Sequence, residues 1–157
     1  EDNLLSRIRY MAKGLDCKWI ILDHLSIVVS DQEIADERKA IDSIMTKLRQ
    51  LVQETGVGLF LVSHLRRPNG KAHEDGGQIS LAELRGSAAI AQLSDMVIGL
   101  ERDQQNADPT VRNTTTVRVL KNRFAGLTGP ACYLYYDKDT GRMIETSCPV
   151  ADEKQEF

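Results

Sequence analysis

The sequence predicts an α/β fold in which a mostly parallel sheet is flanked by helices and followed by antiparallel strands. Two apolar runs, 18–22 and 57–62, are joined by a connection of helix length, a pattern typical of buried parallel strands. From Thr116 onwards, apolar and polar residues alternate between turn signals, which indicates one-sided antiparallel strands.

Composition sets the broad class of the protein. The chain has 157 residues, 41% of them hydrophobic and 27% charged, which fits one globular domain with a sizeable core. Because we find no run long enough to cross a bilayer and no signal segment, we expect a cytoplasmic protein. Three scattered cysteines argue against disulfides and zinc, and a net charge of -3 argues against a wholly basic nucleic-acid coat.

The first half of the chain predicts two helices and two strands. Apolar residues at helical spacing give a short first helix, for which Gly14 is the stop. After the first strand, 24–34 is expected to be a loop. A long amphipathic helix is predicted over 35–55, with Gly56 as its C-terminal stop, before the strand at 57–62.

The middle of the chain is less regular. Residues 66–79 hold Pro, three Gly and mixed charges, which predicts a mobile loop with nothing to bury. Ser80 and Glu83 have the spacing of a capping box, which opens a short helix. Small residues over 88–93 indicate another helix, and 96–100 is predicted as a third buried strand.

The last part predicts a polar loop over 103–112, three strands and an acidic tail. The tail, 147–157, lacks an apolar pattern and is expected to be disordered, which leaves 1–146 as the folded part. The predicted strands are 116–121, 131–136 and 142–144.

Polar side chains follow the two parallel strands at the point where each ends. Asp23 follows the first strand and His64 the second, and the carboxyl ends of parallel strands share the edge at which open sheets bind ligands. Asp23 suits a water-mediated Mg²⁺ contact beside a nucleotide phosphate, or else caps the following loop. His64 can donate to a terminal phosphate, or else anchors a loop. His24 and His73 are interpreted as structural.

The order of the segments WIILDH, LFLVSHLRR, ELRGSAAIAQLSD, VLKNRFAGLTG and YLYYDKDTG closely resembles a known family. They are similar to the C-terminal part of the RecA-like motor of DnaB-like hexameric replicative DNA helicases, especially the helicase half of phage primase-helicases. The resemblance covers about residues 4–146. It implies an enzyme that uses ATP or dTTP with Mg²⁺, encircles single-stranded DNA as a hexamer and unwinds the replication fork 5′-to-3′ in a bacterial or phage-infected cytoplasm.

One family motif is missing. The phosphate-binding loop, GxxxxGK followed by Ser or Thr, is not found in the sequence. In the family this loop and the catalytic glutamate lie upstream. We therefore expect the chain to be a fragment that hydrolyses little nucleotide by itself.

The resemblance also implies catalytic roles for individual residues. Asp23 corresponds to the second nucleotide motif, and His64 to the residue that senses the γ-phosphate. Arg123 corresponds to the finger that enters the next subunit's nucleotide site, and Lys121 assists it. The alternative for the two cations is a solvated pair on an edge strand. A finger that acts between subunits requires a head-to-tail interface, which closes into a ring.

The family further implies a base clamp and DNA contacts. Arg102 and Tyr136 would sandwich the nucleotide base, although Tyr136 also suits ordinary strand packing. The DNA contacts would lie in two loops, which the alternative interpretation leaves as solvated charged surface. The first loop has one basic residue fewer than the family, and Ala91 replaces an arginine. The implied DNA-binding residues are Arg66, Arg67, Lys71, Arg85, Gly86 and Ser87.

The tail and the overall function leave alternatives open. Phage helicases of this type often dock on the replicative polymerase through an acidic tail with a terminal aromatic, which Phe157 would supply; the tail can equally be a plain disordered end. In place of a helicase, the chain could belong to a RecA-type recombination or regulatory ATPase, or be a non-enzymatic nucleic-acid-binding module.

Overall fold

The computed structural model describes residues 2–25, 34–66, 70–84 and 88–149. They form two compact units. The first draws its described residues from Glu1–Arg66 and Leu84–Ser94, and the second from Arg67–Glu83 and Asp95–Phe157. Among these residues, none of the helices combines the length and apolar character needed to cross a bilayer.

The described residues of the first unit form a two-stranded parallel sheet and three helices. The strands pair in register from Trp19↔Gly58 to Leu22↔Leu61, so the predicted parallel pairing is confirmed. The elements are α1 (Asp2–Lys13), β1 (Trp19–Leu22), α2 (Ile34–Thr55), β2 (Gly58–Leu61) and α3 (Ala88–Leu93).

The core of the first unit includes one face of α2 and residues in and just after β1. The buried residues of α2 recur every three or four positions, as expected for the inner face of an amphipathic helix. Ile20 is the buried residue of β1, and Leu25 is buried just beyond that strand. Among the side chains of α2 from residue 37 onwards, those buried are Ile41, Ile44, Met45, Leu48 and Leu51.

The other face of the parallel sheet is apolar and open. Trp19 and Ile21 are 70% and 73% exposed, and Phe60 and Val62 are exposed beside them. The prediction that both strands are buried was therefore wrong for one face of the sheet. Strand side chains alternate between faces, and a continuous apolar run does not reveal which face the chain itself covers. A Cβ at Gly58 would collide with the Trp19 ring, so that ring lies directly over the neighbouring strand.

The second unit contains a four-stranded antiparallel sheet in the order β3-β4-β5-β6. The three predicted C-terminal strands are confirmed, with ends extended by a few residues. The elements are β3 (Met96–Glu101), α4 (Pro109–Arg112), β4 (Thr114–Asn122), β5 (Gly129–Asp137) and β6 (Arg142–Thr146).

Two predictions for the second unit were wrong. Residues 96–101 are not a strand buried on both sides, because β3 pairs antiparallel with β4 and exposes Ile98 and Leu100. The predicted polar loop over 103–112 contains α4. This helix begins with Asp108, whose Oδ1 accepts the Thr110 N–H at 2.7 Å, and Pro109 follows at the first helical turn.

Local hydrogen bonds support the predicted turns of this unit. Ser80 N–H donates to Glu83 Oε2 at 2.7 Å at the start of a 3-10 turn, Leu81–Glu83, as the capping pattern predicts. In the β5–β6 turn, the Thr140 hydroxyl and the Asp139 N–H donate to Asp137, and they hold the pKa of that carboxyl below its ordinary value of 3.8.

Candidate functional site

The ladder of the parallel sheet continues past its strands and brings Asp23 and His64 to the same edge. Val62 N–H donates to Leu22 O at 2.9 Å, and Leu25 N–H donates to Val62 O at 3.0 Å. Asp23 lies between these two bonds, and His64 follows Val62 by two residues. Both side chains are exposed. The edge therefore presents a carboxylate and an imidazole from adjoining strand ends, in the arrangement that binds ligands in open parallel sheets.

His24 lies against His64, a contact that the sequence did not predict. Its ring meets the His64 ring edge to face, with centroids 4.2 Å apart and an interplanar angle of 81°. His24 is half-buried, and its Nδ1 lies buried with no hydrogen-bond partner in the described part of the structure. The contact restricts the orientations open to the His64 ring. The available signal was the position of His24, directly after Asp23 at the strand end.

In the second unit, the Arg102 side chain and the Tyr136 backbone both bond to Asn113. Arg102 Nε donates to Arg112 O at 2.7 Å, and its Nη2 donates to Asn113 Oδ1 at 3.3 Å. Tyr136 N–H donates to Asn113 O at 2.9 Å. Asn113 is only 4% exposed, so its polar atoms depend on these bonds. The sequence did not predict Asn113, and we find no local pattern that would have identified it.

Arg123 and Lys121 lie at the end of β4. That strand ends at Asn122, so Arg123 begins the following turn and does not share the strand with Lys121, as the edge-strand alternative assumed. Its N–H donates to Asp95 O at 2.9 Å, and its Nη1 lies 3.3 Å from Asp95 Oδ1. The Arg123 side chain is 60% exposed and that of Asp95 33%, so solvent weakens this ion pair. The guanidinium can therefore leave Asp95 for an anion.

Lys71 is exposed at the start of a compact turn. Asp75 and Gly77 both donate backbone N–H groups to Ala72 O at 3.0 Å. Gly77 and Ile79 are buried, so the expectation that 66–79 has nothing to bury was wrong for its second half. Lys71 is thus presented by a turn with internal hydrogen bonds and a buried base.

The remaining predicted DNA-binding residues divide between the described and undescribed parts of the chain. Arg66 is exposed in the first unit. Three of the predicted segments lie outside the described residues: Arg67, residues 85–87 and the tail from residue 150 onwards.

The chain matches a family model and is similar to two curated proteins. Residues 2–145 match the family model of the DnaB-like helicase C terminal domain. The chain is 52% identical over 147 residues to the DNA helicase/primase of Enterobacteria phage T3, an alignment that covers 93% of this chain and 25% of that protein. It is 30% identical over 89 residues to the replicative DNA helicase DnaB of Treponema pallidum (strain Nichols), with 57% of this chain and 19% of that protein covered.

The fold of the chain also matches that of a solved structure. It is an ATPase domain that matches with a TM-score of 0.70 at 20% identity, over 92% of this chain and 51% of the solved one. The match confirms the predicted α/β, RecA-like fold class. The chain spans a quarter or less of the length of the two curated relatives. By the match over residues 2–145, it belongs to the DnaB-like helicase C-terminal domain family.

Proposed function

We propose that this chain supplies the C-terminal part of the motor of an ATP-driven replicative DNA helicase, of the kind found in phage primase-helicases. The observation that carries the proposal is the position of Asp23 and His64 at the same edge of the parallel sheet, where β1 and β2 end. The family match and the likeness to the phage T3 protein support it. The complete protein would form a hexameric ring on single-stranded DNA in the cytoplasm and unwind the fork 5′-to-3′.

Asp23 would act on the metal side of the nucleotide. Mg²⁺ commonly keeps several waters and takes one or two protein carboxylates, with substrate phosphates completing its shell. An exposed carboxylate at a fixed strand end fits that donor set. Asp23 would accept a hydrogen bond from a water bound to the Mg²⁺ that accompanies ATP or dTTP. The ion would neutralise part of the phosphate charge.

His64 would report the state of the terminal phosphate. An imidazole at this edge can donate one hydrogen bond to a phosphate oxygen and lose that bond after hydrolysis. The contact with His24 would keep the ring aimed at the edge. Because Arg66 follows two residues later, a shift of His64 would reach the first DNA-binding residue through a very short stretch of chain.

Arg123 would serve the nucleotide site of the neighbouring subunit, with Lys121 assisting. The weak, exposed pair with Asp95 would hold the guanidinium until a phosphate competes for it. A planar guanidinium can spread its donors over a transferring phosphoryl group. Arg102 and Tyr136, joined through Asn113, would sandwich the nucleotide base.

Single-stranded DNA would be held by cations that contact its phosphates. Arg66 and Lys71 are exposed and suit this role. We propose Arg67, Arg85, Gly86 and Ser87 as further contacts on the strength of the sequence. The acidic end of the chain would dock on the replicative polymerase through charge and the ring of Phe157.

The open apolar face of the first unit would be covered by the rest of the motor. Parallel sheets are covered on both faces in folded proteins, and this chain leaves Trp19, Ile21, Phe60 and Val62 exposed. The chain matches 51% of the solved ATPase domain, so about half of such a domain remains to provide the cover.

The proposal is tested on the full-length protein with a forked duplex. We expect single-stranded DNA to stimulate hydrolysis of ATP or dTTP, and a fork with a 5′ tail to be unwound. Strand exchange without unwinding would favour a recombination ATPase. DNA binding with no hydrolysis would favour a binding module. Either result would overturn the helicase assignment.

A further inference from the structure

The carboxylate of Glu101 accepts two hydrogen bonds from distant parts of the chain. Its Oε1 lies 2.8 Å from Arg118 Nε, and the Ile79 N–H donates to the same oxygen at 2.9 Å. Glu101 is the last residue of β3, and Arg118 lies in the neighbouring strand β4. The two side chains are 11% and 16% exposed, so the pair is almost buried.

The bond to Ile79 fixes the base of the turn that presents Lys71. Ile79 is 4% exposed and packs beside Gly99, where an added Cβ would lie 3.6 Å from its side chain. Upstream in the same turn, Gln104 N–H donates to Glu74 O at 2.8 Å. We call residues 71–79 the Lys71 turn. It is thus attached to the region around the end of β3 at two points.

Glu101 Oε1 accepts hydrogen bonds from both Arg118 and Ile79, so the ion pair does more than balance two charges. A buried ion pair adds little net stability, and apolar side chains of similar volume often replace one without loss. Such a replacement would leave the buried Ile79 N–H without its acceptor, which has a cost of its own. The carboxylate is therefore needed for the position of Ile79, while Arg118 compensates its charge and holds it in place.

We propose that Glu101 is a positioning residue for DNA binding: it holds the Lys71 turn against the end of β3. The inference rests on the proposed helicase function and extends it. Arg102 follows Glu101 directly and donates to Arg112 O at 2.7 Å. One strand end therefore carries both the base-clamp arginine and the anchor of the Lys71 turn. Loss of the anchor would weaken DNA binding and the stimulation of hydrolysis by DNA.

Two double variants of the full-length protein distinguish the effect of the hydrogen-bond acceptor for Ile79 from the effect of side-chain volume at Glu101 and Arg118. Glu101→Gln with Arg118→Gln keeps an oxygen for the Ile79 N–H, whereas Glu101→Met with Arg118→Met keeps the volume and removes the acceptor. We expect the Met pair to bind oligo-dT about fivefold more weakly and to lose a similar factor of DNA stimulation. For the Gln pair, we expect oligo-dT affinity and DNA stimulation within about twofold of the wild-type values. In the absence of DNA, the nucleotide KM of both pairs should also stay within about twofold of the wild-type value.

Wild-type DNA affinity and stimulation in the Met pair would overturn the inference, as would equal losses in both pairs. If the Met pair unfolds, hydrogen exchange of the wild-type protein decides the matter. The Ile79 amide should then exchange slowly, and exchange at the rate of an exposed amide would overturn the inference. A wild-type protein that neither binds oligo-dT nor hydrolyses nucleotide would contradict the proposed function itself.

Discussion

The rings of His24 and His64 meet edge to face with their centroids 4.2 Å apart, at the edge where the parallel strands end. The two residues come from different strands, and backbone bonds from Leu25 and Val62 hold those strand ends in register. Only His64 was expected to be functional. His24 is therefore a ring neighbour that can limit the orientations of the His64 side chain.

His24→Ala should lower DNA-stimulated nucleotide turnover by roughly tenfold, because a catalytic group loses rate when its orientation is relaxed. The nucleotide KM should change little. His24→Phe retains a ring against His64 and should recover most of the turnover. Steady-state kinetics of the full-length variants provide the measurement. Full activity in His24→Ala, or a Phe variant as impaired as the Ala variant, would show that the ring contact has no functional part.

Arg123→Ala should reduce hydrolysis by the assembled ring by about a thousandfold, as expected for loss of an arginine finger. Nucleotide binding should remain, since the arginine acts on the neighbouring site. Binding of a fluorescent nucleotide and turnover are measured on the same preparation. Arg9→Ala is a matched control, because it also breaks an exposed pair between an arginine and a carboxylate, Arg9–Glu54. Normal turnover in Arg123→Ala would refute the finger.

Arg66→Ala combined with Lys71→Ala should weaken binding of single-stranded DNA and flatten its dependence on salt. The slope of log affinity against log salt should fall by roughly one to two, because two phosphate contacts are lost. Lys138→Ala with Arg142→Ala removes the same charge from exposed positions near the β5–β6 turn and serves as the control. An unchanged slope for the Arg66 and Lys71 double variant would mean that these residues are solvated surface charges that do not contact DNA.

Trp19 reports whether the open sheet face is covered in the complete protein. It is the one tryptophan of this chain, and it is 70% exposed. Its emission should lie at long wavelength in the isolated chain and shift to shorter wavelength in the full-length protein. Subtraction of a Trp19→Phe spectrum isolates its contribution. Equal emission in both settings would mean that the face stays open.

The strands and their polar ends were predictable because the signals are local. An apolar run that stops at Asp23, a helix-length connection and a second run that stops at His64 suffice to place both residues at one edge. The position of β3 was not predictable in the same way, because a continuous apolar run such as 96–100 does not tell which strand pairs with it or which face is covered.

The contacts that join distant segments were also beyond the sequence. Glu101 meets the Ile79 N–H across 22 positions, and Asn113 joins Arg102 to Tyr136 through one side-chain and one backbone oxygen. Neither contact leaves a spacing pattern. By contrast, α4 carries a readable signal, since Asp108 before Pro109 is a common helix start, but the polar composition of the segment concealed it.

Nucleotide turnover by the Asp23→Asn variant of the full-length protein, measured with single-stranded DNA, tests whether this sheet edge binds the nucleotide. Turnover should fall by at least about a hundredfold, because an amide is a poorer partner than a carboxylate for a magnesium-bound water. Asp16→Asn alters an exposed acid that precedes β1 and should leave turnover unchanged. Wild-type turnover in Asp23→Asn would contradict the assignment of this sheet edge as the nucleotide site.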